Sequence, residues 1–126
     1  MKIILTTAKR EFKRYQYRNF YTSDFELSLL TSPNTIIASF PFKRLRSYDT
    51  IIGYHDIKAH VVYTWGYGYY STTTSKQITQ YCNEQNSIRV DIDYMSLDDF
   101  IKHYERLTNN GWKQNEFTLL CPTRGR

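Results

Sequence analysis

The chain has 126 residues, a formal net charge of +5 and an aromatic content of 17%. This length predicts a single domain with one core and leaves no room for a second. Because the excess charge is positive, the composition argues against the strongly acidic proteins that imitate DNA.

The cysteines and the N-terminus predict the cellular compartment. Cys82 and Cys121 lie far apart and show no disulfide-framework spacing, which favours reduced thiols. No apolar run is long enough for a signal peptide or a membrane span. We therefore expect a cytoplasmic protein that does not contact a membrane.

The N-terminal half predicts an antiparallel meander of four or five strands. A turn at Ser32-Pro33-Asn34 joins two of them into a hairpin. Pro41 limits ladder pairing, so Lys43-Arg44-Leu45-Arg46 is predicted as a basic loop. The predicted strands are Ile3–Leu5, a twisted and partly exposed strand within Ala8–Tyr21, Phe25–Leu30, Thr35–Phe40, Tyr48–His55 and His60–Trp65.

The C-terminal half begins with a predicted helix and strand. Thr74 and Gln77 match a capping box, so we expect a helix from there to about Asn86. That helix buries Ile78, Tyr81 and Cys82 and exposes Lys76, Gln80 and Glu84. Ile88–Tyr94 alternates apolar and polar residues, which is typical of a half-buried strand.

A second helix and strand complete the predicted fold. Ser96 with Asp99 is a second capping box, and Asn110-Gly111 ends that helix. Trp112–Leu120 is predicted as a last strand. We therefore expect residues 1–126 to form a single α+β domain, an antiparallel β-meander followed by α-β-α-β.

Positive charge is concentrated in two segments. Met1–Arg18 contains six basic residues and only Glu11 as an acid, so it carries the whole net charge of +5. Clustered positive charge attracts phosphates or acidic protein surfaces, although a solvated basic face explains the same pattern. The candidate contact residues are Lys9, Arg10, Lys13, Arg14, Arg18, Lys43, Arg44 and Arg46.

An aromatic and hydroxyl-rich stretch, Tyr63–Ile78, joins the two halves. A helix start with hydroxyls and a lysine contains the parts of a phosphate site, and neighbouring rings can stack on bases. Helix capping and a glycine-bearing aromatic turn explain the same residues without a ligand. The candidate binding residues here are Trp65, Tyr67, Tyr69, Tyr70, Thr73 and Lys76.

Catalytic and metal sites have little support. The three histidines lack the spacing of zinc ligands. Asp91 and Asp93 share one face of a predicted strand and could hold Mg²⁺ for phosphodiester chemistry, although that face is also the natural solvent side. Cys82 lies on the apolar side of its helix. We therefore expect no enzyme and no cofactor, with a Mg²⁺-dependent nuclease as a third alternative.

The segment Gly68-Tyr69-Tyr70-Ser71-Thr72-Thr73-Thr74-Ser75-Lys76-Gln77 resembles one in small proteins of phages and mobile elements of Gram-positive bacteria. In those proteins a strand carrying a Gly-Tyr pair runs into a Tyr-Ser-x-Thr-Thr-Ser-Lys-Gln helix start. The resemblance covers about Ile51 to Tyr94 and carries over no catalytic residue. It implies a genomic setting in which non-enzymatic proteins act on host machinery, the anti-CRISPR inhibitors of defence nucleases among them.

These observations lead to two hypotheses besides the nuclease. The first is a non-enzymatic binding protein of a phage or mobile element that modulates a host or defence protein–nucleic-acid complex, in the manner of an anti-CRISPR inhibitor of a Cas nuclease. The alternative is a small regulatory DNA- or RNA-binding protein, whose binding would depend steeply on salt. An aromatic-rich sheet with open edges is also compatible with a homodimer.

Overall fold

The computed structural model describes residues 2–9, 11–16, 19–31, 33–65, 71–92 and 96–109. Within these ranges the chain forms a seven-stranded mixed β-sheet and two α-helices, which confirms the predicted α+β class. The strands are β1 (Lys2–Ala8), β2 (Lys13–Arg14), β3 (Phe20–Thr31), β4 (Thr35–Ser47), β5 (Thr50–Asp56), β6 (Val61–Thr64) and β7 (Ile88–Asp91). The helices are α1 (Thr72–Glu84) and α2 (Leu97–Asn109).

The strand order in the sheet is β1-β3-β4-β5-β6-β7, and β2 also pairs with β3. β3 to β6 form the predicted antiparallel meander. β7 instead lies parallel to β6, and α1 stands between these two strands in the chain. Parallel neighbours run in the same direction, so a tight turn cannot join them and a longer crossover connection is needed.

The two helices pack on opposite faces of the sheet. Phe100 of α2 belongs to a core cluster that includes Phe42, whereas Ile78 of α1 belongs to a second cluster that includes Leu45. Phe42 and Leu45 are three residues apart on β4, so their side chains point to opposite faces. Because side chains pack on both faces of the sheet here, every residue of β6 is buried.

The basic segment Lys43–Arg46 is a strand, and its prediction as a loop was wrong. It lies within β4, which pairs with β3 on one side and β5 on the other. Pro41 is accommodated because its carbonyl accepts from Ile57 N at 3.2 Å, beyond the end of β5. The proline nitrogen points to that same side, so its missing N–H removes no bond to β3.

Within Ala8–Tyr21, where one twisted strand was expected, β1 ends at Ala8, β2 covers Lys13–Arg14 and β3 begins at Phe20. β3 in turn extends the predicted Phe25–Leu30 at both ends. Asn110-Gly111 and the predicted strand Trp112–Leu120 lie outside the residues that the structure describes. Neither helix in the described ranges combines the length and the apolar character needed to cross a membrane.

α1 begins earlier than the predicted cap at Thr74. Ser71 is the N-cap, and its Oγ accepts from Thr74 N at 3.1 Å. Thr74 and Gln77 are buried and contact Ser47 of β4 instead, with Ser47 Oγ at 2.9 Å from Gln77 Oε1. The second predicted cap is confirmed, because Ser96 Oγ accepts from the third residue of α2 at 3.1 Å.

Candidate nucleic-acid interface

β3 brings the two predicted basic segments together. Lys13 on β2 is the register partner of Thr22, which is the partner of Leu45 on β4. Between these strands Arg44 Nη2 donates to Lys9 O at 3.0 Å, although the two residues are 35 positions apart. The sheet therefore joins charges that the sequence separates.

The alternation of β4 divides these charges between the two faces of the sheet. Arg44 and Arg46 point to the face that α2 covers further along, whereas Lys43 points to the opposite face. The basic residues thus form two groups. The arginine–aromatic cluster consists of Phe12, Tyr21, Arg44 and Arg46. The lysine pocket is lined by Lys9, Glu11, Lys13, Thr22, Ser23, Asp24 and Lys43.

In the arginine–aromatic cluster both guanidinium groups lie on ring faces. The Cζ atom of Arg46 is 4.7 Å from the ring centre of Phe12 and 4.4 Å from that of Tyr21. Arg44 Cζ is 5.0 Å from the same Phe12 ring. Contacts of this kind contribute about 0.5–1 kcal/mol each at accessible sites. They hold two guanidinium planes in fixed orientations on a half-exposed surface.

The hydrogen bonds of the two arginines differ. Arg44 Nε donates to Ser23 Oγ at 3.2 Å, which fixes its side chain against β3. Arg46 Nε is buried and has no hydrogen-bond partner among the described residues. A charged donor is costly to leave unpaired. Arg46 is therefore held by its two rings.

The lysine pocket is a cavity of about 260 Å³ on the other side of β3. Lys43 Nζ lies 2.7 Å from Asp24 Oδ1, and their side chains are 35% and 52% exposed. The hydrogen bond from Lys43, with the charges of Lys9 and Lys13, lowers the pKa of Asp24. One ionised carboxylate thus lies within the field of three ammonium groups.

Arg14 is exposed on β2 and is the register partner of Tyr21, so it lies beside the arginine–aromatic cluster. The other predicted residues lie apart from the cluster and the pocket. Trp65 is only 2% exposed, and its Nε1 donates to Ile51 O at 3.1 Å, so its ring belongs to the core and offers no surface for bases. Thr73 and Lys76 are exposed on α1 and join neither the cluster nor the pocket within the described ranges. Arg10, Arg18, Tyr67, Tyr69 and Tyr70 lie outside the described residues.

Phe12 and Tyr21 were missed as site residues. Both fall in Ala8–Tyr21, where the sequence predicted only a twisted and partly exposed strand. The usable signal is the register, because Tyr21 is the direct cross-strand partner of Arg46. The pairing of β3 with residues 43–46 was not predicted, because Pro41 was expected to limit pairing beyond it.

Two of the three histidines are structural. His55 Nδ1 is 2.7 Å from Tyr81 Oη, and its Nε2 is 3.1 Å from Ser87 Oγ. Burial lowers the pKa of His55 and of His103 to about 4 in each case. No group of three or more His, Cys, Asp or Glu side chains within the described ranges is arranged to hold a metal ion.

Asp91 does not lie on an open solvent face, contrary to one interpretation of the sequence. Its side chain is 9% exposed, and Oδ1 accepts from Thr64 Oγ1 at 2.6 Å and from Arg89 Nε at 3.2 Å. Asp93 lies outside the described residues. Oδ1 of Asp91 is thus already engaged by two donors.

Comparisons with protein-family models, with curated proteins and with solved structures find no match to this chain. The fold and the surface define a small α+β protein with basic and aromatic side chains gathered around β2, β3 and β4. Its function must be inferred from the chemistry of that surface.

Proposed function

We propose that this chain is a non-enzymatic binding protein of a phage or mobile element whose arginine–aromatic cluster contacts and modulates a host or defence protein–nucleic-acid complex. One observation carries the proposal: Arg44 and Arg46 are stacked on Phe12 and Tyr21 on an accessible face of the sheet. Arginine offers a planar fork that suits phosphate, and aromatic faces accept bases.

The charge of the whole surface supports a polyanionic partner. Six cations meet around β3, and the acids among them are Glu11 and Asp24. Such an excess raises the rate of encounter with nucleic acid and adds affinity through release of counterions. The six cations are Lys9, Lys13, Arg14, Lys43, Arg44 and Arg46.

The cellular setting of the proposal comes from the resemblance of residues 68–77 to phage and mobile-element proteins. We propose on that ground a modulator of the anti-CRISPR type, acting on a Cas nuclease complex in the cytoplasm of the host. A basic surface would grip guide RNA, target DNA or an acidic protein surface, since it cannot imitate DNA.

Direct binding of free DNA or RNA is the second candidate. The cluster favours it, because positive charge beside aromatic side chains is typical of grooves that bind single-stranded nucleic acid. It predicts binding to purified nucleic acid with a steep salt dependence, which a protein-directed inhibitor would lack. We do not propose the nuclease, because Asp91 Oδ1 is committed to Thr64 and Arg89.

The test is affinity purification of the tagged protein from its host, with and without nuclease digestion of the lysate. The variant is Arg44→Gln with Arg46→Gln, and the matched control is Lys102→Gln, at an exposed position on α2. A partner protein that survives digestion and is lost in the variant supports the first candidate. Material that disappears on digestion supports the second. Capture that is unchanged in the folded variant overturns both.

A further inference from the structure

We infer that the lysine pocket is a binding site for a single phosphate group, which Lys9 and Lys13 hold while Asp24 acts as an internal counter-ion. The inference rests on the proposed function only for the source of the phosphate, a nucleic-acid backbone or end. It assigns a ligand class to a cavity that is separate from the arginine–aromatic cluster.

The size and lining of the pocket suit a small anion. Its volume of about 260 Å³ lies just below the range of about 300–1,000 Å³ that is usual for organic ligands. Three lysines contribute to the wall, Thr22 and Ser23 contribute hydroxyl-bearing side chains, and Glu11 and Asp24 are the two acids against the three cations. Lysine binds phosphate as a mobile point charge and needs no fixed fork geometry.

Asp24 determines how the pocket behaves when it is empty. Its carboxylate is ionised and already paired with Lys43 at 2.7 Å. The same carboxylate lies within reach of the charges of Lys9 and Lys13, since both lower its pKa. Without a ligand Asp24 offsets the repulsion among the three ammonium groups. When a phosphate group is bound, the negative charge of Asp24 repels it, so Asp24 lowers the affinity of the pocket for phosphate.

Lys9 connects the pocket to the arginine–aromatic cluster. Its side chain lines the cavity, and its backbone carbonyl accepts from Arg44 Nη2 at 3.0 Å. A phosphate group that orders Lys9 therefore also orders the carbonyl group that accepts the hydrogen bond from Arg44. The two groups can then bind the same polyanion. The pocket holds one phosphate group, and the cluster contacts the adjoining part of the polyanion.

Replacing Asp24 tests the inference, because a phosphate site and a solvated salt bridge predict different effects on the affinity for phosphate. Asp24→Asn should tighten the binding of inorganic phosphate by about twofold to fivefold, because it removes one opposing charge at an accessible site. Lys13→Met should weaken it by a similar factor. Lys102→Met, at an exposed lysine on α2, is the matched control and should change nothing.

The experiment is an NMR titration of the full chain with inorganic phosphate at constant ionic strength, followed on the amides of residues 9–24. The same spectra report whether each variant is folded. We expect saturable shifts in the parent, tighter binding in Asp24→Asn and weaker binding in Lys13→Met. Shifts that do not saturate, or equal affinities in all four proteins, overturn the inference.

Oligonucleotides with and without a 5′-phosphate then distinguish the source of the phosphate. A preference for the phosphorylated end points to a terminal phosphate, and equal binding points to the backbone. The two proposals can fail separately. Phosphate binding without any captured complex would refute the proposed function alone, whereas capture through Arg44 and Arg46 with no phosphate site would refute this inference alone.

Discussion

The covered and open parts of the sheet treat their ionisable side chains in opposite ways. β5 and β6 lie between α1 and α2, and there His55 is 2% exposed and Asp56 is fully buried. Around β2 and the second half of β4, Lys43 and Asp24 are 35% and 52% exposed. Similar residue types thus occur in both parts, but only one part has a helix over each face.

This difference decides where charge is kept. In the covered part, burial raises the pKa of Asp56 and lowers that of His55 to about 4, so both are driven toward their neutral forms. In the open part, the hydrogen bond from Lys43 lowers the pKa of Asp24, so the carboxylate of Asp24 stays charged. Charge is thus disfavoured in the covered part and retained at the surface of the open part.

The largest expected effect is a cavity in the covered part. Phe100 of α2 is fully buried, and its ring centre lies 4.5 Å from that of Tyr54 and 5.1 Å from that of Tyr63. Phe100→Ala should lower the free energy of unfolding by about 4 kcal/mol, measured by urea denaturation. The matched control is Ile36→Ala, at 56% exposure on β4, which should cost about 0.5 kcal/mol or less. Equal losses at the two positions would contradict the division of the sheet.

The next effect is a pH dependence that belongs to the covered part. His55 and His103 have a pKa of about 4 in the folded chain, below the ordinary value of 6.5. Between those values the unfolded chain binds more protons, so stability should rise with pH from 4 to 6.5 and be fully present above 6.5. Each histidine contributes on the order of 3 kcal/mol to that rise.

The buried carboxyl of Asp56 acts with the opposite sign. Its pKa is raised, so the stability that it contributes is present at low pH and is lost as pH rises through its folded value. The measurement is the slope of unfolding free energy against pH in the parent and in His55→Gln. The variant should have about half of the histidine-derived slope. His60→Asn is the control, since His60 is exposed and has a φ of 58° that Asn tolerates. An unchanged slope in His55→Gln would refute the assignment.

The sequence predicted the covered part well because its signals are local. Alternation in Ile88–Tyr94 predicted the buried positions Val90 and Ile92, although Ile88 at the start of the same face is 41% exposed. Ser96 predicted the start of α2. Helical spacing also predicted Ile78, Tyr81 and Cys82 as the buried side of α1. The cap at Ser71 was missed because several hydroxyl residues follow one another, and each can accept from a helix N–H.

The open part could not be predicted because its geometry depends on register between distant strands. The cluster exists only because Tyr21 is paired with Arg46 and the β2 segment brings Phe12 over both arginines. Local reasoning about Pro41 gave the opposite result, since a proline in a strand is tolerated when its nitrogen faces away from the ladder. Composition identified the basic residues, but only the pairing shows that Lys43 and Arg44 serve opposite faces.

A smaller effect tests the close approach of two covered strands. Gly53 of β5 faces β6, and a Cβ atom added there would lie 2.5 Å from Tyr63 O and 3.1 Å from Thr64 Cγ2. The first neighbour is backbone and cannot move without disturbing the ladder. Gly53→Ala should therefore cost about 2 kcal/mol in thermal or urea unfolding. A neutral result would mean that β5 and β6 separate more easily than their burial indicates.

The smallest effect on stability should come from Phe12, and it separates binding from folding. Phe12→Ala removes the cation–π contacts of Phe12 with Arg44 and Arg46 on an accessible surface. The free energy of unfolding should therefore fall by about 1–2 kcal/mol. Phe12→Leu keeps much of the apolar area but has no ring face, and it serves as the matched variant. If Phe12 orients the two arginines for a nucleic acid, both variants should lose affinity for a single-stranded oligonucleotide while the salt dependence stays near that of the parent, because no cation is removed. Retained affinity in both variants, with the fold intact, would show that the ring only covers the arginines and that the contact surface lies elsewhere.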